Sequence, residues 1–434
     1  MDNIGIRNLF LNFSIRSASL ISSALLITGV ATKLSLHDQG VYYLLQSFVA
    51  LAFFFDLGIG FVLANMAGIA NAEGSTGSSD TVKPVAAVAR FGMKWSLLAA
   101  LLFAAIVGLA GIRPVLNLPN ANWASLLMWG LLIVGTSCNL GLGALLSLFE
   151  GLGFVRQSSI VRFTQAFANG ATFLIIVHFN HNPFSVGISA AISIIAAGLL
   201  FVRQFGDHIR SFARTKPADP LVWTRDVLPF QWRVAISWLT GYFMFQAPTL
   251  ALATFGSISD AGRFGMSMQI VLAILSVAQV YLTFCVPRWS AKASEKSGGG
   301  IFGDYLVSVA VTTAIVFSAG LVLLAGIHFL APPWLASRVL PETSLVQMLL
   351  GTGGFQAFMC GNFYFRAQLR ESLWPVSVLG AATIIAGGIC YRSEIEAMVA
   401  TSLYMCIGIL VGVLSMAIVW FSNMSAKAEF VKKA

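Results

Sequence analysis

The chain has 434 residues, of which 57% are hydrophobic and only 10% charged, with a mean hydropathy of +0.83. A water-soluble domain this apolar would expose large sticky patches, so the composition excludes that class and points to a protein dissolved in a bilayer. In a soluble protein the net charge of +9 would suggest nucleic acid; here the charges follow membrane topology, and no nucleic-acid partner is expected.

A span needs about 20 mostly apolar residues. Twelve such stretches follow one another, at 10–32, 41–67, 88–110, 123–148, 158–178, 184–203, 230–254, 263–286, 304–330, 344–365, 373–391 and 397–421. The opening stretch MDNIGIRNLFLNFSIRSASL lacks a small-residue cleavage site, and its apolar run is too long for a secretory signal, so it reads as a retained first span. That span carries Asn12, Arg16, Ser19 and Ser23 at i, i+4, i+7 and i+11, a polar stripe on one face.

The second span contains FFFDLGIG, residues 53–60, which sets Asp56 near mid-bilayer. An ionised carboxylate there costs on the order of 3 kcal/mol, so it should face the bundle interior or water. Two readings stay open: a proton- or cation-linked switch, or a helix–helix hydrogen bond. Gly58 and Gly60 let the helix bend or a neighbour come close. The fifth span repeats the polar stripe with Arg162, Gln165 and Asn169, and the seventh with Arg233, Ser237 and Thr240. Between them residues 204–229 are basic, contain Pro217, Pro220 and Pro229, and read as a linker.

Positive charge orients the spans. Lys33, Arg113, Arg263, Arg338 and Arg392 fall on one face, and every other Lys and Arg of the 26 falls on the opposite one. That asymmetry puts both termini in the cytoplasm. Asp38-Gln39-Gly40 and Asp260-Ala261-Gly262 coincide at one fixed offset, which suggests an internal repeat. The expected fold is therefore an all-α polytopic membrane protein, with twelve transmembrane helices in two parallel six-helix halves around a central cavity. Residues 1–203 form the first half, 204–229 a cytoplasmic linker, and 230–434 the second half with a short cytoplasmic tail.

Arg16, Arg162 and Arg233 each stand about a turn inside a cytoplasmic helix end, at the head of a polar stripe. Together they suggest a cytoplasm-facing cavity that accepts an anionic head group, because the guanidinium fork donates paired hydrogen bonds to phosphate. The alternative is that each arginine snorkels to the interface and only fixes topology. No P-loop, nucleophile elbow or H-E-x-x-H motif is present, so neither ATP hydrolysis nor another enzymatic activity is expected. His178 and His181 have metal-like spacing but no neighbouring carboxylate. Cys138, Cys285, Cys360, Cys390 and Cys406 are scattered, so neither metal nor cofactor is expected.

The block LSLHDQGVYYLLQSFVALAFFFDLGIGFVLANMAG, residues 34–68, resembles the opening of bacterial Wzx-type polysaccharide flippases. Gly40 and the Asp56-Leu57-Gly58 pattern carry the likeness, and LFEGLGFVRQSSIVRF at 148–163 is similar to that family's inner loop before span five. The superfamily also holds multidrug-and-toxin extruders. The resemblance implies translocation of undecaprenyl-pyrophosphate-linked oligosaccharide across the bacterial inner membrane, serving O-antigen, lipopolysaccharide or exopolysaccharide synthesis. The expected mechanism is alternating access, with the two halves rocking about the central cavity. In that reading Arg16, Arg162 and Arg233 hold the pyrophosphate, while Asn12, Ser19, Gln165, Asn169 and Ser237 meet the sugars. Asp56 couples transport to a proton or sodium gradient. Expected partners are membrane lipids, the lipid-linked oligosaccharide, and polysaccharide polymerase and chain-length proteins. The alternatives are a drug or cation extruder of the same superfamily, a membrane enzyme acting on lipid-linked sugars, and a non-transporting scaffold. Short outer connections leave an enzyme little room for an outer catalytic domain.

Overall fold

The computed structural model describes residues 22–74, 82–118, 122–215, 221–294, 301–330, 332–368, 371–390 and 397–433. Among these residues the chain is helical with no strand, as hydrocarbon requires of a backbone that must satisfy its own hydrogen bonds. Helix α1 covers residues 22–33. It is followed by α2 (Leu36–Ala50), α3 (Phe53–Asp56), α4 (Ile59–Gly74), α5 (Val82–Leu116), α6 (Trp123–Gly151), α7 (Val155–Asn180) and α8 (Ser185–Arg214). A π-helical turn at Trp223–Val227 leads into α9 (Leu228–Phe245) and α10 (Ala247–Phe255). Then come α11 (Ile258–Ser294), α12 (Ile301–Ala325), a π-helical turn at Gly326–Leu330, α13 (Pro333–Ala336), α14 (Glu342–Ala367), α15 (Trp374–Cys390) and α16 (Ala397–Lys433).

Where they are described, the twelve expected spans each fall on one helix or one broken helix. Seven are long and apolar enough to cross a membrane outright, and the pair Leu36–Asp56 and Ile59–Ala70, bent by 41°, makes an eighth. The other four differ for local reasons. Only part of the first is described, and α15 has 17 residues. α14 is diluted by Gln347, Gln356 and Asn362, and the seventh span is split at Gln246. Pro248 at the start of α10 has no N–H to continue the ladder, so the helix restarts there.

Two compact units divide the chain. One contains residues up to Asp38 together with Leu45–Leu239, and the other contains Gln39–Leu44 and Thr240–Ala434. In the first unit, α4 lies against α6 through small residues. A Cβ on Gly151 would collide with the Ala64 backbone, and one on Gly60 would stand 3.0 Å from Ser147 Oγ. Such surfaces let helices approach closely where lipid gives no hydrophobic drive. Phe149 anchors this unit near the end of α6, stacked on Phe205 with ring centroids 4.1 Å apart. Phe201 and Phe212 join the same cluster.

This buried stripe carries α8 to Arg214, so residues 204–214, expected as linker, continue the helix. At 30 residues α8 is about 45 Å long, well beyond the ~30 Å hydrocarbon core. The interval between the expected halves is thus mostly helical where it is described. The division between the units falls inside α9 rather than before it.

The second unit is held by α14 against α16. Cβ atoms on Gly354 and Gly408 would strike the backbone of Gly408 and Gly351 respectively, so both helices need glycine at the crossing. α2 and α11 open with the same cap. Ser35 Oγ accepts the Asp38 N–H at 3.1 Å and donates to its carboxylate at 2.6 Å. Ser257 does the same for Asp260 at 3.0 and 2.8 Å. The repeat read at Asp38 and Asp260 is therefore a repeat of helix starts.

Candidate functional site

Asp56 ends the single turn α3, in the middle of the bent span. After it Leu57 adopts φ 49° and Gly58 φ 67°, both left-handed. Leucine is disfavoured there by about 1–2 kcal/mol, so surrounding contacts hold the break in place. A Cβ on Gly58 would stand 2.5 Å from Val234 Cγ1 and 3.2 Å from the Trp238 indole, so only glycine fits under α9. Phe53 packs on Trp238 and Phe55 on Phe103, clamping the turn from α9 and α5. The Gly58 carbonyl accepts from Phe61 and Val62, which starts α4, and the Gly58 N–H lies beside the Asp56 carboxylate. Among the described residues, Arg162 is the charged side chain within electrostatic reach of that carboxylate.

A polar seam runs beside this turn. The α6–α7 hairpin closes through Leu152–Phe154, where Gly153 takes φ 93° and the Phe154 N–H returns to the Phe149 carbonyl at 2.9 Å. The hairpin sets Asn139, Gly143, Ser147 and Glu150 of α6 opposite Arg162, Gln165 and Asn169 of α7. Arg162 donates from Nε to Glu150 Oε1 at 2.9 Å, and from Nη2 to Ser147 Oγ at 3.0 Å and the Gly143 carbonyl at 3.3 Å. Gln165 donates to Asn139 Oδ1 at 2.8 Å. Asn169 Oδ1 is a buried acceptor without a hydrogen-bond partner. From Glu150 to Asn139 the seam climbs about 16 Å along α6, half the hydrocarbon thickness.

This seam is not sealed inside the helices. The Arg162 side chain is 43% exposed and that of Glu150 27%. Charged groups at membrane depth are stable only against protein or water, so this face requires water rather than lipid. Glu150 is the ion-pair partner of Arg162, and Asp56 has no ion-pair partner among the described residues.

The expected site residues are thus distributed unequally. Arg162, Gln165 and Asn169 come together in the seam with Asp56 beside them. Arg162 is paired with Glu150, a partner its stripe did not announce. Glu150 was missed: it is the fourth-from-last residue before Phe154, and only the antiparallel hairpin register brings it to Arg162. Arg233 is exposed on α9 with its guanidinium 5.3 Å from the Trp232 ring, and no described carboxylate pairs with it. Ser237 follows one turn on. Asn12, Arg16 and Ser19 lie outside the described residues. No cluster of three His, Cys, Asp or Glu side chains suited to a metal occurs among the described residues, and all five cysteines are free thiols.

The sequence matches no family model and no curated protein. Solved structures do match over nearly the whole chain. One is an inward-facing multidrug resistance MATE family transporter of the MOP superfamily, at 11% identity and TM-score 0.69, covering 97% of this chain and 99% of that one. A eukaryotic MATE transporter aligns at 11% identity and TM-score 0.67, over 95% of this chain and 94% of its own. A MOP superfamily transporter from Pyrococcus furiosus, described as having a binding pocket of reverse polarity, aligns at 10% identity and TM-score 0.57, over 96% and 94%. At these identities the likeness is one of fold: twelve helices in two halves.

Proposed function

We propose that the protein is an alternating-access transporter that carries a lipid-linked oligosaccharide across the bacterial inner membrane, with both termini in the cytoplasm and Asp56 as its cation-coupling group. The α6–α7 seam is the observation that carries the transport reading. A purely structural membrane protein gains little from a part-exposed ion pair at the mouth of a row of amides that runs into the bilayer, whereas a transporter needs a hydrated wall there. The break at Leu57–Gly58 supports the coupling reading, since a carboxylate at a bend is placed to link ion binding to helix geometry. Arg233, exposed over Trp232, supports the substrate reading: it remains available for a pyrophosphate, while the lipid tails stay in the bilayer.

A second reading, a drug or cation extruder, has its own support in the charge of the Asp56–Glu150–Arg162 cluster. A carboxylate without an ion-pair partner suits a cationic substrate as well as a coupling ion. The test is export of surface polysaccharide in a strain lacking its own flippase, with membrane abundance checked by blot. Expression should restore export, and Asp56→Asn should abolish export or its dependence on the ion gradient. Extrusion of cationic dyes without any export would favour the second reading. Gradient-dependent export by Asp56→Asn would remove the coupling role, because asparagine keeps much of the hydrogen bonding and loses only the charge.

A further inference from the structure

We infer that Glu150 is a positioning residue that holds the Arg162 guanidinium away from Asp56, leaving Asp56 as the carboxylate that takes the cation. The inference rests on the reading of Asp56 as the coupling group and names what keeps that group available. Arg162 has five N–H donors. Nε is held by Glu150, and Nη2 by Ser147 and Gly143, while Nη1 has no hydrogen-bond partner among the described residues. The guanidinium is therefore anchored along one edge and unengaged along the other, with Asp56 as the second acid it acts on.

Two features fix the anchored edge. Ser147 is wedged at the α4–α6 crossing, 3.0 Å from where a Gly60 Cβ would stand, and it donates to the Gly143 carbonyl at 3.0 Å. Glu150 is one turn from the hairpin, where Gly153 and the Phe154 N–H close the chain. Among the described residues, Arg162 of α7 is the charged side chain that acts on Asp56, and Glu150 of α6 is its ion-pair partner. α5 presents Phe103, and α9 presents Val234 and Trp238 beside Gly58, with Arg233 laid on Trp232. Among the described residues Arg162 is thus the counter-ion within reach of both acids. If Glu150 loses its charge, the guanidinium is free to turn its open edge to Asp56, and the cation site is filled from within.

The test labels the purified full-length protein in detergent with dicyclohexylcarbodiimide, which modifies protonated carboxyls in apolar surroundings, and quantifies the Asp56 adduct by mass spectrometry. Wild-type Asp56 should label. Glu150→Gln should reduce labelling at Asp56 about fivefold or more, and the double change Glu150→Gln/Arg162→Gln should restore at least half of the wild-type level. Rescue by removing a second group is what a purely structural role for Glu150 does not give. Arg162→Gln alone should label at least as strongly as wild type, which keeps the test open if Glu150→Gln fails to fold on size exclusion. An unlabelled wild-type Asp56, undiminished labelling in Glu150→Gln, failure of the double variant to recover, or a drop in Arg162→Gln would each overturn the inference. If the labelling pattern holds while Asp56→Asn still exports with normal gradient dependence, the coupling reading falls and the positioning role stands. If Asp56→Asn is inactive but the pattern fails, only the positioning role falls.

Discussion

Gly58 concentrates two demands in one residue, a left-handed backbone and a missing side chain beneath Val234 and Trp238. Gly58→Ala should therefore destabilise the protein by about 1–3 kcal/mol from strain and overlap together, read as a lower melting temperature in detergent. Gly141→Ala is the matched opposite. A Cβ there meets nothing within 4 Å, so helix propensity alone should act and the melting temperature should hold or rise. Arg233 gives the third expectation at this scale. If it grips an anionic head group, Arg233→Ala should impair export strongly and Arg233→Lys partly, since lysine keeps the charge but not the fork. Equal, normal export by both variants would reduce Arg233 to a topology anchor. The glycines and the Asp at 56–60 were legible as a place to bend, because both glycine's cost in a helix and a charge's cost in lipid are local properties. Which way the bend closes depends on α9, far along the chain, and no local rule supplies that.

Helix starts and helix crossings behave differently under the same substitutions. The Ser35 and Ser257 caps are equivalent, so Ser35→Ala and Ser257→Ala should each cost about 1 kcal/mol, and by similar amounts. The α4–α6 crossing is less forgiving. Gly151→Leu places a side chain where the Ala64 backbone lies, and little folded protein should reach the membrane. Normal abundance of Gly151→Leu would contradict the close crossing. The caps were legible in outline because Ser-x-x-Asp acts within four residues. The polar stripe of Arg162, Gln165 and Asn169 was legible for the same reason, being a periodicity within one helix. Its partners Asn139, Ser147 and Glu150 were not, because pairing them needs the register of α6 against α7, which the turn at Leu152–Phe154 decides. The same turn gives Arg162 an acidic partner in Glu150.

At the scale of the molecule, apolarity and length located the twelve spans, since hydrocarbon imposes one dominant constraint on every segment. It placed their ends less well: α8 runs past the membrane on an amphipathic stripe, where burial against Phe149 replaces lipid as the reason to stay helical. Transport by this fold depends on the α6–α7 seam being a wetted wall inside the membrane. The direct measurement is the reactivity of single cysteines, in a background without the five native ones, toward a membrane-impermeant charged maleimide. Cysteines at Asn139 and Gln165, in the seam, should react when the reagent is on the side of the Leu152–Phe154 turn. Cysteines at Val134 and Ile175, exposed apolar positions on the same two helices, should stay unreactive because a thiolate does not form in lipid. Unreactive seam cysteines, or equal reaction at all four positions, would contradict the account.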